Sequence, residues 1–493
     1  MSYVRTSVMF ASFVLLSFMV FYDSVIFRHS ALLVLLPLIP LVLVFVAAPA
    51  ARTIWSETVA LRKTFTWWQG IWLLLFLSAL VFRMRAAQDI DQSPLDIWAI
   101  YRVGLMLIVG LILCARLLSD RTKWLSVLFS GTLGILVLYP LLSMVSTLWS
   151  VRPSWTFYKS VEYLVDLAAI AAVIATVRSL QEYRKLVNWT WTLLGLLVAT
   201  AWLGAIFDPA DALLGGQTLG PLTVRLEGVM PSVDANSIGE ICAILALVAL
   251  NRMLNGPKVK QNRGWYAALF AVSLVTLFVS QTRAAMLAFV IGLALLLILL
   301  RRAWLVLAFG AVSGFAVLIA LSFTNFGRTF SNFLLRGQSV QSVQGLSGRM
   351  DVWQASFDAF LQRPWTGYGG FAGSRFVVLP GIASQGSASS ALSTYVDSML
   401  DLGIWGPALL AVVVVAMVWF MFRATRGHYV RSADRPLAVE MFVVFAVILV
   451  RSVVTSNMVG HPALAFLTVV GFIEVARRQF AAAQRLEILR RAA

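Results

Sequence analysis

Long apolar runs separated by short polar stretches set the pattern of the chain from end to end. About 20 apolar residues suffice to cross a bilayer core as a helix, the open element whose backbone satisfies its own hydrogen bonds there. Roughly fourteen runs approach that length: Val8–Phe27, Ala31–Ala48, Phe65–Phe82, Ile97–Leu118, Leu125–Leu148, Ser160–Val177, Leu186–Phe207, Ser237–Leu254, Trp265–Val279, Ala284–Leu300, Ala303–Phe323, Ile404–Phe422, Leu437–Val454 and Pro462–Ala476. The pattern predicts an all-α polytopic membrane protein of about 12–14 transmembrane helices. The first run resembles a signal peptide only superficially, since it is long and no small-residue cleavage site clearly follows it.

Charge supplies the orientation. The N-terminus and every second loop hold most of the basic residues, among them Arg62, Lys63, Arg184, Lys185, Lys258, Lys260, Arg423, Arg426, Arg477 and Arg478. By the positive-inside rule both termini are cytoplasmic, and the same bias explains most of the net charge of +17. With 60% hydrophobic and 12% charged residues, a cytosolic globular enzyme is excluded, and no soluble basic face for nucleic acid exists. The two cysteines, Cys114 and Cys242, lie inside apolar runs, so they form no disulfide framework. Nor do His29, His428 and His461 make a metal cluster.

This topology puts two long connections outside, Asp208–Asn236 and Thr324–Gly403, and long loops in compact proteins usually carry function. It divides the chain into a membrane bundle over 1–323, a large periplasmic loop over 324–403, and terminal helices with a basic tail over 404–493. Within the large loop, Gly337–Gly348 and Gly381–Ser390 are rich in Gly, Ser and Gln. Between them Val352, Trp353, Phe357, Phe360 and Leu361 share one helical face stopped by Pro364, which predicts an amphipathic helix on the membrane surface.

Four stretches converge on the outer boundary. The first is Trp149-Ser150-Val-Arg152-Pro153, where Trp149 also reads as a simple interfacial anchor. The second runs from Arg225 through Glu227 and Gly228 to Asn236, with an Arg225–Glu227 loop pair as the plain alternative. The third is the turn Ser280-Gln-Thr-Arg283, whose arginine at membrane depth faces a partner or a polar cavity unless it snorkels to the interface. The fourth, in the loop, holds Gly348-Arg349, Trp353, Pro364-Trp-Thr-Gly367-Tyr-Gly369 and Ser393-Thr-Tyr395; a pair of Arg349 with Asp351 or Asp358 is its plain reading. The planar donor fork of arginine matches phosphate oxygens, so arginines meeting over one pocket suit a pyrophosphate.

From Ser146 to Gly406 these residues resemble the O-antigen ligase and O-antigen polymerase superfamily of bacterial inner-membrane glycosyltransferases. The resemblance rests on Trp149, Ser150 and Pro153; on Arg225, Gly228 and Asn236; on Ser280, Thr282 and Arg283; and on Gly348, Arg349, Trp353, Pro364, Gly367 and Gly369. In the family's His-Asn-x-Tyr-Leu segment, Tyr395 keeps its place, followed by Asp401, Gly403 and Gly406, while Leu392 stands at the His position and Ser393 at the Asn position.

The resemblance implies a GT-C-like fold and transfer of a glycan from an undecaprenyl-pyrophosphate donor to a glycan acceptor on the outer face of the inner membrane, with no metal, nucleotide sugar or other cofactor. Arg225 and Arg283 would stabilise the departing pyrophosphate. Arg349, Arg152, Trp149, Asn236 and Ser393 would bind substrate, and Asp397 with Tyr395, or else His461, would stand in for the missing histidine base. That missing histidine favours a repeat-unit polymerase over ligation to lipid A core. Membrane lipid surrounds the protein, and a chain-length regulator enters as a partner only through the resemblance.

Two other classes remain open. A lipid-linked oligosaccharide flippase or other transporter suits the helix count and the charges Glu162, Asp166, Glu240, Glu440 and Arg451, although paired charges bracing a bundle explain these equally well. Against transport, the chain has one large outer loop and no matching half. A peptidoglycan-type polymerase with an outer-loop Asp base would share carrier and topology, but its motifs are not recognised in the sequence.

Overall fold

A computed structural model describes residues 67–80, 90, 96–119, 123–177, 179–214, 224–229, 231–255, 259–302, 349–382, 390–460 and 462–492. Helices dominate: α1 (Trp67–Leu80), α2 (Ile97–Ser119), α3 (Lys123–Leu128), α4 (Gly131–Val145), α5 (Pro153–Thr176) and α6 (Leu180–Phe207) precede a two-stranded ribbon, β1 (Leu213–Leu214) with β2 (Arg225–Leu226). After it come α7 (Ala235–Asn255), α8 (Val259–Val279), α9 (Arg283–Leu299), α10 (Arg349–Gln362), α11 (Thr394–Leu402), α12 (Trp405–Thr425), α13 (Arg435–Ser452) and α14 (Leu464–Ala492). Of the apolar runs, 8–27, 31–48 and 303–323 lie outside the described residues, and every other run is helical.

Five helices among the described residues are long and apolar enough to cross a membrane: Ala99–Leu118, Gly131–Leu148, Leu180–Phe207, Ala235–Asn255 and Trp405–Thr425. Trp67–Leu80, Arg263–Val279 and Arg283–Leu299 are shorter apolar helices. The chain is an all-α polytopic membrane protein. Helices α5, α13 and α14 account for the other described runs but carry acidic side chains inside, and Glu162, Glu440 and Glu474 among them have partners. Glu162 of α5 takes Arg102 of α2 at 2.7 Å and Lys159 at 2.6 Å. Glu440 of α13 accepts the indole N–H of Trp191 at 2.8 Å. In an apolar bundle such pairing is what makes a buried charge tolerable, which favours bracing for these two carboxylates.

The run 125–148 is not one helix. It breaks between α3 and α4, where the fully buried Glu474 of α14 accepts the N–H groups of Thr132 (2.7 Å) and Leu133 (3.3 Å). These are donors that a helix start leaves without an internal partner, so a carboxylate from a distant segment serves as the cap. Arg477 holds that carboxylate at 2.8 Å and also donates to Ser130 Oγ at 3.0 Å. The basic tail, expected only as a topology signal, continues α14 as helix to Ala492.

Packing divides the chain into two compact units, Thr66–Leu193 with Gln341–Ala493, and Met1–Phe65 with Leu194–Val340. The large loop after Arg349 thus packs in the same unit as α1–α5 and α12–α14. Helix α10 buries Val352, Ser356 and Ala359, spaced by four and three residues, against a small core with Tyr368, Val378, Leu379, Ala391 and Leu400. Phe357 and Leu361 stay exposed. The apolar face read from the sequence is therefore divided between the loop's own core and the surface.

Candidate functional site

In the unit containing Leu194–Val340, two of the predicted stretches meet at Ala235. Strand β2 places Arg225 opposite Leu214, and Glu227 N–H closes the ribbon on Ala212 O at 2.8 Å. A tight turn follows, with Gly228 and Val233 exchanging hydrogen bonds of 2.8 and 3.0 Å. Asp234 then starts α7, its Oδ1 accepting the N–H groups of Asn236 (2.8 Å) and Ser237 (3.1 Å), the usual work of a helix-capping carboxylate. The Ala235 carbonyl accepts the hydroxyl of Thr282 at 2.8 Å.

That last bond draws the turn before α9 against the start of α7. Gly239 has no side chain to obstruct it, since a Cβ there would fall 2.7 Å from the Thr282 Cβ. Ser280, Gln281 and Thr282 are buried, and half-buried Arg283 is the first residue of α9. Arg225 Nε lies 3.6 Å from Glu227 Oε1, so the loop pair anticipated as the plain alternative is present. At that distance it is an ion pair without a hydrogen bond. Burial raises the Glu227 carboxyl above its ordinary value, and Asp234 pushes the same way, while Arg225 and the Ala235 N–H pull it down. The arrangement holds two arginine segments and Asn236 on one scaffold, with Glu227 as the partner of Arg225.

The other unit mates the first stretch with the large loop. Trp149 donates its indole N–H to Thr366 O at 3.0 Å, so it is a strut between segments as well as a 40% exposed surface aromatic. Val151 N–H donates to Tyr368 O at 3.0 Å, and Gly370 N–H to Ser146 Oγ at 2.8 Å. Gly369 is obligatory here: its φ of +101° is hostile to a side chain, and a Cβ would overlap Ser150. On its other side the loop meets its own end, Tyr368 N–H donating to Leu400 O and Gly369 N–H to Asp401 O. Much of the Trp-Ser-x-x-Pro and Pro-x-x-Gly-x-Gly pattern is thus explained by backbone contact.

The proposed base segment is engaged in the same bracing. Asp397 is 7% exposed; Oδ1 accepts from Ser374 Oγ and from the Ala391 N–H, and Oδ2 accepts from Ser456 Oγ. Burial raises its carboxyl above the ordinary value, against the pull of these donors. Asp401 is raised well above, by burial and then by Asp397, although it accepts the Gly373 N–H at 3.2 Å. As a base for an incoming hydroxyl Asp397 is therefore poorly placed, because both oxygens are occupied and covered. Tyr395 OH accepts from Ser452 Oγ at 3.0 Å, and Ser393 is buried at the start of α11. Leu392, in the family's histidine frame, has a φ of +55°. His461 lies outside the described residues.

Arg349 opens α10 half-buried, and among the described residues no ion pair joins it to Asp351 or Asp358, which are exposed. Burial, and then the buried Arg451, lower its proton affinity. Arg152 is exposed and lies 5.3 Å over the ring of Phe376. The sequence reading missed Arg375, Lys159 and Trp155 beside it. Arg375 stacks on Trp155 at 4.8 Å, and Lys159 reaches the same ring at 5.4 Å. The spacing Trp155, Lys159, Glu162 along one helix carried that signal; nothing local marked Arg375.

The fold is that of a polytopic membrane protein, and each of its two compact units carries basic side chains at the segments described above. Residues 268–411 match the family model described as O-antigen ligase. The match covers less than a third of the chain, and that stretch is what is similar to the family. Arg283, Arg349, Asp397 and the loop glycines lie inside the matched stretch, whereas Trp149, Arg152, Arg225 and Asn236 precede it. No curated protein matches the chain.

Proposed function

We propose that the protein polymerises undecaprenyl-pyrophosphate-linked oligosaccharide repeat units into a surface polysaccharide at the outer face of the bacterial inner membrane. The observation that carries the reading is the junction at Ala235, whose carbonyl accepts the hydroxyl of Thr282 beside Arg283, while the strand of Arg225 runs through the Gly228–Val233 turn into the helix of Asn236. Two guanidinium groups on one rigid scaffold suit a diphosphate that gains charge as it departs.

In the proposed step the acceptor hydroxyl oxygen attacks the anomeric carbon of the donor from the face opposite the diphosphate. The bond from that carbon to the phosphate oxygen breaks, and its electron pair leaves on the diphosphate, which Arg225 and Arg283 receive. Glu227 holds Arg225 in the empty state and gives it up to the ligand. Asp397 and Asp401 shape the loop, so the acceleration comes from leaving-group stabilisation, and the acceptor proton passes to water. Leu392 in place of histidine favours a polymerase over a ligase.

The test is incubation of purified protein in nanodiscs with an undecaprenyl-pyrophosphate oligosaccharide, following lipid-linked products by gel and mass spectrometry. A ladder spaced by one repeat supports the reading. Transfer to lipid A core alone makes the protein a ligase, and movement of the lipid between leaflets without product makes it a transporter.

A further inference from the structure

The end of α12 carries arginines that the sites described above do not use. Val412, Val415, Trp419 and Phe422 are exposed along this helix at spacings of three, four and three, which puts them on one face. The helix is long and apolar enough to cross a membrane, and in a bilayer that face meets acyl chains. Where the face ends, the guanidinium carbon of Arg423 lies 5.6 Å from the Trp419 ring and 5.6 Å from the Tyr429 ring, and that of Arg426 lies 4.0 Å from the Phe422 ring. Tyr429 is fixed in turn, stacked on Phe420 with centroids 4.6 Å apart and edge to face with Phe480 at 5.1 Å.

Rings offer these two cations a π face and no oxyanion. Among the described residues neither guanidinium has an ion pair or a hydrogen bond. From the end of α12 to the start of α13, Arg423, Arg426, Arg431 and Arg435 stand against Asp434, which is buried and already bound by Arg184 at 3.4 Å. The negative end of the α12 dipole, equivalent to about half a charge, is more than offset by two guanidinium groups. The helix therefore presents an apolar, aromatic stripe that runs into a cationic end.

We propose that this surface binds one anionic phospholipid, its phosphodiester held by Arg423 and Arg426 and an acyl chain lying along Phe422, Trp419, Val415 and Val412. A phospholipid in a bilayer joins an oxyanion to an apolar chain in the same order along the membrane normal. The planar fork of arginine matches its phosphate oxygens. A zwitterionic lipid would bring an ammonium group up to the arginines, and a soluble phosphate would leave the stripe uncovered. The site serves the protein whether it polymerises, ligates or transports.

The experiment measures binding of phosphatidylglycerol and of phosphatidylcholine with matched acyl chains to the full chain, by native mass spectrometry from detergent. The wild type should bind one phosphatidylglycerol at least about tenfold more tightly than phosphatidylcholine, because two basic residues face the anionic headgroup. Arg423→Gln/Arg426→Gln should bring the two lipids within about twofold of each other. Arg478→Gln/Arg485→Gln removes the same charge from exposed positions of α14 and should keep the wild-type preference. Raising the ionic strength should shrink the preference of the wild type, a readout that no variant's folding can disturb. Glycerophosphoglycerol, the same headgroup without acyl chains, should not compete. Equal binding of the two lipids by the wild type, an unchanged preference in Arg423→Gln/Arg426→Gln, or an equal loss in the α14 variant overturns the proposal. So does a preference indifferent to salt, and competition by the deacylated headgroup would show an anion site without a lipid.

Discussion

Thr282 donates its hydroxyl to the carbonyl of Ala235 across 2.8 Å, tying the residue before Arg283 to the residue before Asn236. The bond is buried and joins segments 47 residues apart. Thr282→Val keeps the branched shape and removes the donor, leaving a buried carbonyl unsatisfied at a cost of about 1–3 kcal/mol. Its melting temperature should fall, and polymer yield should fall further than unfolding accounts for, because Arg283 loses its register. Equal loss in a variant of a remote buried threonine, such as Thr190, would show a general stability effect instead.

Gly369→Ala should destabilise by about 2 kcal/mol or more, since it combines a positive φ with overlap onto Ser150. Limited proteolysis of the 349–403 loop should accelerate with it. Gly264→Ala, with nothing within 4 Å of the new Cβ, should leave both measurements unchanged or slightly improved.

Glu474→Ala removes the cap from α4 and leaves two helix N–H groups and Arg477 without that carboxylate. The expected cost is about 3 kcal/mol, read as a lower melting temperature. Arg477→Ala should cost less, because the backbone bonds to Glu474 remain.

Asp397 and Asp401 carry a sign for pH. Both are raised above 3.8 by burial, so the folded protein binds their protons more tightly than the unfolded chain does. The stability this supplies is complete below the unfolded value near 3.8 and is lost as pH climbs through the raised folded values. The melting temperature of the wild type minus that of Asp401→Asn should therefore increase as pH falls from about 8 to 5. A difference that shrinks over that range contradicts the assignment.

Among the described residues most long apolar runs were legible as helices, because a bilayer imposes one solution on such a run. It was less legible where a distant side chain intervenes: the break before α4 depends on Glu474, more than 300 positions away. Arg225, Arg283, Asn236 and Thr282 were readable from their motifs, whereas Ala235, which takes the Thr282 hydroxyl on its carbonyl, acts through a backbone group and leaves no residue-type signature. Asp397 suggested a base by its position beside Tyr395. Only the fold brings Ser374, Ala391 and Ser456 onto its oxygens and makes it a brace. Arg375 escaped notice because the ring it stacks on is 220 residues earlier in the chain.

The most direct test of the account measures turnover of a lipid-linked repeat unit by Arg225→Lys and Arg283→Lys, each beside its melting temperature. Lysine keeps the charge and loses the two-pronged fork, so turnover should fall by about tenfold or more while melting stays within a degree or two of the wild type. Unchanged turnover, or turnover that falls only as far as the protein unfolds, would contradict a role for these arginines in receiving the departing diphosphate.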